Sequence, residues 1–118
     1  MTAENSFAET DNLLDAMASV VGEANVLTDP GHTADYLVDW TRVYSSSALA
    51  VVTPKTTAEV AEIVKLCGSR NIAVVPQGGR TGLCGGGVPV AEHRSVVVSL
   101  KRMNAIRSLE PASRTVVA

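Results

Sequence analysis

Aromatic side chains are scarce in this 118-residue sequence: Phe7, Tyr36, Trp40 and Tyr44 are all there are, and none lies beyond residue 44. The second half therefore has no stacking platform for single-stranded nucleic acid. An excess of one charge is missing too. Ten Lys and Arg stand against 12 Asp and Glu, for a formal net charge of -2, which excludes a basic DNA-binding module. No apolar run approaches the roughly 18 residues that a membrane-spanning helix requires, the longest being broken by Pro, Gly or charge. The opening MTAENSFAETD is polar and acidic where a secretory leader has a basic start and an apolar core, so a cytoplasmic protein is expected. Cys67 and Cys84 lack CxxC spacing, and reduced thiols rather than a disulfide framework are expected. His32 and His93 belong to no HExxH or Cys/His cluster, and no metal site is expected among these residues.

What is present is an ordinary globular share of apolar residues, 46%, enough for one modest domain or a piece of something larger. Leu13, Leu14, Met17, Val20 and Val21 recur at helical spacing, with Gly22 placed to end the helix. Asp29-Pro30-Gly31 marks a turn, and Tyr36, Leu37, Val38 and Trp40 form a small apolar cluster in a connecting segment, so that residues 1–46 are read as helix plus connection. Ala48-Leu49-Ala50-Val51-Val52 reads as a buried strand ended by Thr53-Pro54. Thr56 and Glu59 form a capping box, and Val60, Ile63, Val64 and Cys67 supply one apolar face up to Gly68 and Asn71. Ile72-Ala73-Val74-Val75 is a second strand. Strand, helix and strand in that order predict parallel pairing through a right-handed crossover, hence an α/β (α+β) fold. Residues 95–100 predict a third strand, and residues 107–118 two short strands around Pro111-Ala112-Ser113. The last of these ends at Ala118 with no polar tail, and is read as the edge of a longer polypeptide.

The chemistry is concentrated after the second strand, where six of the nine glycines fall in Gly78-Gly79-Arg80-Thr81-Gly82-Leu83-Cys84-Gly85-Gly86-Gly87. Glycine removes Cβ and admits positive φ, so such a loop can turn backbone N–H groups toward an anion and let it approach closely. Arg80 adds a forked cation and Thr81 a hydroxyl, both apt for a pyrophosphate. The competing reading is a flexible linker, but a linker would be Ser-rich and polar, whereas this stretch joins two apolar strands and contains Leu83 and Val88-Pro89-Val90. There is no GxxxxGK[ST], which disfavours nucleotide hydrolysis. There is no GxGxxG opening a helix either, which disfavours a nicotinamide Rossmann site.

The run Ala73-Val74-Val75-Pro76-Gln77-Gly78-Gly79-Arg80-Thr81-Gly82, with Gly85-Gly86-Gly87-Val88-Pro89 and Leu100-Lys101-Arg102-Met103-Asn104, resembles FAD-linked oxidoreductases of the vanillyl-alcohol oxidase (PCMH-type) family, in its D-2-hydroxy-acid dehydrogenase branch. The resemblance extends upstream to Tyr36, Asp39, Val52-Thr53-Pro54, Thr57, Glu59 and Val60. It implies that residues 47–118 are the first lobe of a two-lobed FAD-binding domain, with the substrate domain beyond this chain. It implies cofactor contacts from Pro76, Gln77, Gly78, Gly79, Arg80, Thr81, Gly82, Leu83, Gly85, Gly86, Val88 and Pro89. Where some family members tether the flavin through a histidine, this sequence has Arg80, which implies non-covalent FAD. Cys84 is expected to be a packing thiol. The implied reaction oxidises a D-2-hydroxy acid, such as 2-hydroxyglutarate, lactate or glycolate, to the 2-oxo acid, with a protein or quinone as electron acceptor. Catalytic residues, and a possible divalent metal, are implied only beyond Ala118. The alternatives are an inactive α/β fragment, or an oxidase of the same fold acting on another alcohol or a sugar.

Overall fold

The computed structural model describes residues 3–118; residues 1 and 2 and the side chains of residues 3–7 lie outside the description. A four-stranded sheet runs in the order β1 (Val26–Leu27), β2 (Ala50–Val52), β4 (Ser95–Ser99), β3 (Ala73–Gln77). β1 is antiparallel to β2, while β2 and β3 are both parallel to β4. The α/β expectation is met, with one difference in order. The strand–helix–strand unit does produce two parallel strands, but β4 lies between them, an interior position that suits its five buried residues and leaves the more exposed β3 at the edge.

The register sorts the strands' side chains by face. Val51, Val97 and Val75 lie in one row, while Ala50, Val96 and Val74, then Val52, Val98 and Pro76, lie on the other side. Pro76 cannot donate to a ladder, and it occupies edge strand β3, where that loss is tolerated. The face with Val52, Val96 and Val98 is covered by α1 (Ala3–Val21) through Leu13, Met17 and Val21, and by α3 (Thr57–Gly68) through Ile63 and Cys67. Each such fully buried aliphatic side chain stabilises the fold by about 1.5–3 kcal/mol relative to exposure. Burial also pushes the Cys67 thiol above its usual pKa, with Arg70 opposing more weakly.

The cap at α3 forms with one shift: the Thr56 hydroxyl accepts from Glu59 N at 3.2 Å, and Glu59 Oε2 accepts from Lys55 N, one residue before the N-cap, at 2.6 Å. The apolar face differs from the expected one at one position, since Val64 is 47% exposed and Leu66 packs at the core margin instead. About the centre of the Val60–Ile63–Cys67 stripe, at 100° per residue, Val64 lies about 67° to one side and Leu66 about 93° to the other, so periodicity favours Val64 and the packing overrides it. The helix leans to the Leu66 side, where Arg70 reaches Asn12 of α1 at 3.0 Å.

The opposite sheet face is covered by the segment read as a connection. It contains β1, the one-turn helix α2 (Pro30–Thr33) where a turn was expected, and a 3₁₀ turn Ala34–Tyr36. Tyr36 packs on Val51 and Val97, with Leu27, Leu37, Ala48 and Val75 around it. Trp40 does not join the expected apolar cluster and is 69% exposed. It sits at the tip of a tight hairpin in which Val38 bridges Ser45 and residues 40–43 form the turn. The chain ends in a second hairpin, β5 (Ser108–Glu110) with β6 (Thr115–Val117), as the sequence predicts, and every residue of both strands is exposed. Among the described residues no helix is long and apolar enough to cross a membrane.

Candidate functional site

The glycine loop leaves the carboxyl end of β3, the end of a parallel sheet at which open α/β folds bind ligands. Its two ends are pinned by Gln77, which is 3% exposed and is the last residue of β3. Gln77 Nε2 donates to the Tyr36 carbonyl and to the Gly87 carbonyl, each at 2.6 Å, while its buried Oε1 has no partner. Val88 and Pro89 are buried and anchor the far end, with Val88 N donating to Gly85 O at 3.1 Å.

Between these anchors the glycines divide into two kinds. Gly85 has φ +73°, and a Cβ there would stand 2.8 Å from the ring of Tyr44, so backbone and packing both require glycine. Gly78, Gly79, Gly82 and Gly86 have no positive φ, and a Cβ on any of them would meet nothing within 4 Å. Nothing in the protein requires glycine at these four. What they keep clear is the space in front of the loop. Among the described residues, none of the backbone N–H groups of residues 79–87 donates to a protein acceptor. A loop whose backbone donors are not used within the protein fits an anionic, phosphate-bearing cofactor.

Arg80, expected at the phosphate, also makes contacts within the protein. Its φ is +58°, its guanidinium donates to the Asp35 carbonyl, and it lies 5.1 Å above the ring of Tyr36. Lys101 approaches the same ring to 4.9 Å and donates to the Tyr36 hydroxyl. Two cations thus clamp one half-polar ring and tie the glycine loop to the segment beneath the sheet. Thr81, Leu83 and Cys84 are exposed on the outer arc of the loop. Cys84 therefore does not pack, contrary to expectation: the arc stands off the body of the protein and offers nothing to pack against. Both cysteines are free thiols.

A cavity of about 430 Å³ opens beside the loop, lined by Gly79, Arg80, Asp35, Val38, Asp39, Trp40 and Arg42. Its far wall is the 38–45 hairpin, braced by the Asp39 carboxylate. That carboxylate accepts from the Thr41 hydroxyl, from Thr41 N at 3.2 Å and from Tyr44 N at 2.9 Å. The Thr41 hydroxyl is the main reason the Asp39 carboxyl is held below its usual pKa, with the Tyr44 and Thr41 amides adding to it against the opposing effect of burial. Clefts of about 620 and 630 Å³ lie at Asn12–Arg70–Arg94 and beside Arg102 and Ala118, but neither adjoins the free donors of the loop. Among the described residues no group of three or more His, Cys, Asp or Glu could hold a metal ion. The sequence reading missed Asp35, Arg42, Tyr44 and Lys101. Asp39 with Thr41 two residues on is an Asx-turn signature that could have found the hairpin tip; the tertiary contacts of Lys101 and Asp35 with Tyr36 and Arg80 leave no local trace.

Residues 48–118 match the family described as FAD binding domain. A mitochondrial D-2-hydroxyglutarate dehydrogenase of Arabidopsis thaliana is 42% identical over 98 residues, covering 83% of this chain and 17% of that protein. The Bos taurus protein of the same name is 40% identical over 92 residues, covering 78% and 16%. A D-2-hydroxyglutarate–pyruvate transhydrogenase of Saccharomyces cerevisiae is 38% identical over 86 residues, covering 73% and 17%. Among solved structures, p-cresol methylhydroxylase superposes with a TM-score of 0.73 at 25% identity, covering 88% of this chain and 21% of that one. Alkyldihydroxyacetonephosphate synthase superposes at 0.76 with 19% identity, covering 89% and 21%, a likeness of fold alone.

Proposed function

Because the chain belongs to the FAD binding domain family, we propose that it is the cofactor-holding first lobe of a flavin-dependent dehydrogenase that oxidises a D-2-hydroxy acid to the 2-oxo acid. The observation that carries the reading is the cradle of residues 78–87, where four glycines face open space and the backbone donors of residues 79–87 are unspent. The names of the relatives at 38–42% identity support the substrate class. This chain spans 17% or less of those three proteins.

FAD, when bound, supplies the acceptor for the hydride that leaves the hydroxyl-bearing carbon. The residues of this chain bind and position. The N–H groups between Gly79 and Gly87, which have no protein acceptor, would hold the anionic diphosphate. Gln77 fixes the distance between the two ends of the loop through its paired bonds to the Tyr36 and Gly87 carbonyls. Arg80 and Lys101, on Tyr36, hold the loop against the lobe.

The test is the visible spectrum of the natively purified, intact protein, repeated on the supernatant after acid precipitation. A flavin spectrum released into the supernatant, bleached by D-2-hydroxyglutarate, D-lactate or glycolate, is the expected result. A folded intact protein carrying no flavin, and taking up none when FAD is added, would sink the reading.

A further inference from the structure

Arg80 gives one guanidinium hydrogen bond to the Asp35 carbonyl and lies over the Tyr36 ring, so it acts as a strut of the loop. Arg42 lines the same 430 Å³ cavity from the opposite wall, and among the described residues its guanidinium has no hydrogen bond, ion pair or ring contact. Its position is fixed rather than fluid. Arg42 N donates to Asp39 O at 3.0 Å, Asp39 N donates to Tyr44 O at 3.0 Å, and Ser46 N donates to Leu37 O at 3.0 Å, so the hairpin is laddered up to its tip. The three bonds to the Asp39 carboxylate then lock the tip from inside. Tyr44, on the returning strand, packs on Gly85 and sets hairpin and glycine loop against each other as the two sides of one cleft. Arg42 holds its place at φ +58°, a slot that glycine or asparagine would fill with less strain.

We propose that Arg42 is the cation that meets the anionic phosphate linker of the dinucleotide cofactor across the cleft from the glycine loop, with Arg80 serving only to hold that loop in place. The inference rests on the FAD reading above and adds the residue that neutralises the ligand's charge. A guanidinium facing backbone N–H groups across a cleft gives a diphosphate donors from two sides, with charge from one of them.

Arg42→Gly in the intact protein is the discriminating variant, because it removes the guanidinium while relieving the strained backbone, so weakened binding cannot be ascribed to a destabilised turn. Flavin-stripped wild type and variant are titrated with FAD by flavin fluorescence at low and at high salt. Loss of FAD affinity by about tenfold to a hundredfold is expected, the range of a hydrogen bond to a charged group. A shallower salt dependence than that of the wild type should accompany it, since one ionic contact is gone. Arg42→Lys should recover part of both. Unchanged affinity, or weaker affinity with the wild-type salt dependence, would overturn the role of Arg42 while leaving the cofactor reading standing. A wild-type protein with no affinity for FAD would remove both.

Discussion

At Gly85 the backbone itself demands glycine, because φ is +73° and a Cβ would stand 2.8 Å from the Tyr44 ring, whereas at Gly79 neither constraint exists. Two substitutions that look alike in the sequence should therefore part company. Gly85→Ala forces a Cβ into the left-handed region and into the ring, and should cost about 1–2 kcal/mol from the backbone alone, read as a lower denaturant midpoint. Gly79→Ala should leave stability unchanged or raise it by about 0.4–1 kcal/mol through a less flexible unfolded chain. Its cost should appear only in FAD retention, because the added methyl stands where the ligand approaches. A Gly79→Ala protein that kept full FAD affinity would show that the space before the loop is not the cofactor's. Position in the loop motif marks both glycines as candidates; only the surroundings separate a glycine kept for the fold from one kept for a guest.

The elements show how far local pattern reaches. The capped helix α3, the all-valine core of β4 and the terminal hairpin are legible in the sequence because each is set by neighbours a few positions away: Thr56 with Glu59, the run Val96-Val97-Val98, and Pro111-Ala112-Ser113. The order of the strands is not legible, since nothing in residues 50–77 announces that a segment beginning at Ser95 will separate them. The choice between Val64 and Leu66 is set by the lean of one helix on another, and the exposure of Trp40 by a hairpin whose brace is a carboxylate rather than an apolar contact. That brace has a pH signature. The Asp39 carboxyl titrates below its usual 3.8 when folded, so its bonds contribute stability in full above that value, and the contribution is lost as pH falls through the folded pKa. Acid unfolding should thus steepen below pH 3.8 in the wild type. Asp39→Asn should be less stable at neutral pH and flatter on the acid side; an acid limb identical to that of the wild type would remove Asp39 from the brace.

As a whole the molecule is long for its mass, 61 × 33 × 24 Å with a radius of gyration of 15.8 Å. A compact chain of this length would have a radius of about 13.5 Å. Part of the excess is the β5–β6 hairpin, whose residues are all exposed, Leu109, Val116 and Val117 among them. An isolated two-stranded hairpin is marginal in water. Hydrogen exchange on this 118-residue chain should accordingly find the amides of Val96, Val97 and Val98 the slowest and those of Leu109 and Val116 among the fastest. Equal protection in the two would mean that the hairpin packs on the body. The position of β4 has a further consequence for the order of events during synthesis. Translation delivers β2 and β3 before the strand that joins them, so on the ribosome these two valine-rich strands both wait for their shared partner until Ser99 has emerged. At about 5–20 residues per second, the stretch from Gln77 to Ser99 takes on the order of one to four seconds. For that interval the sheet exists only as halves, and the glycine loop is emerging before there is any sheet to display it.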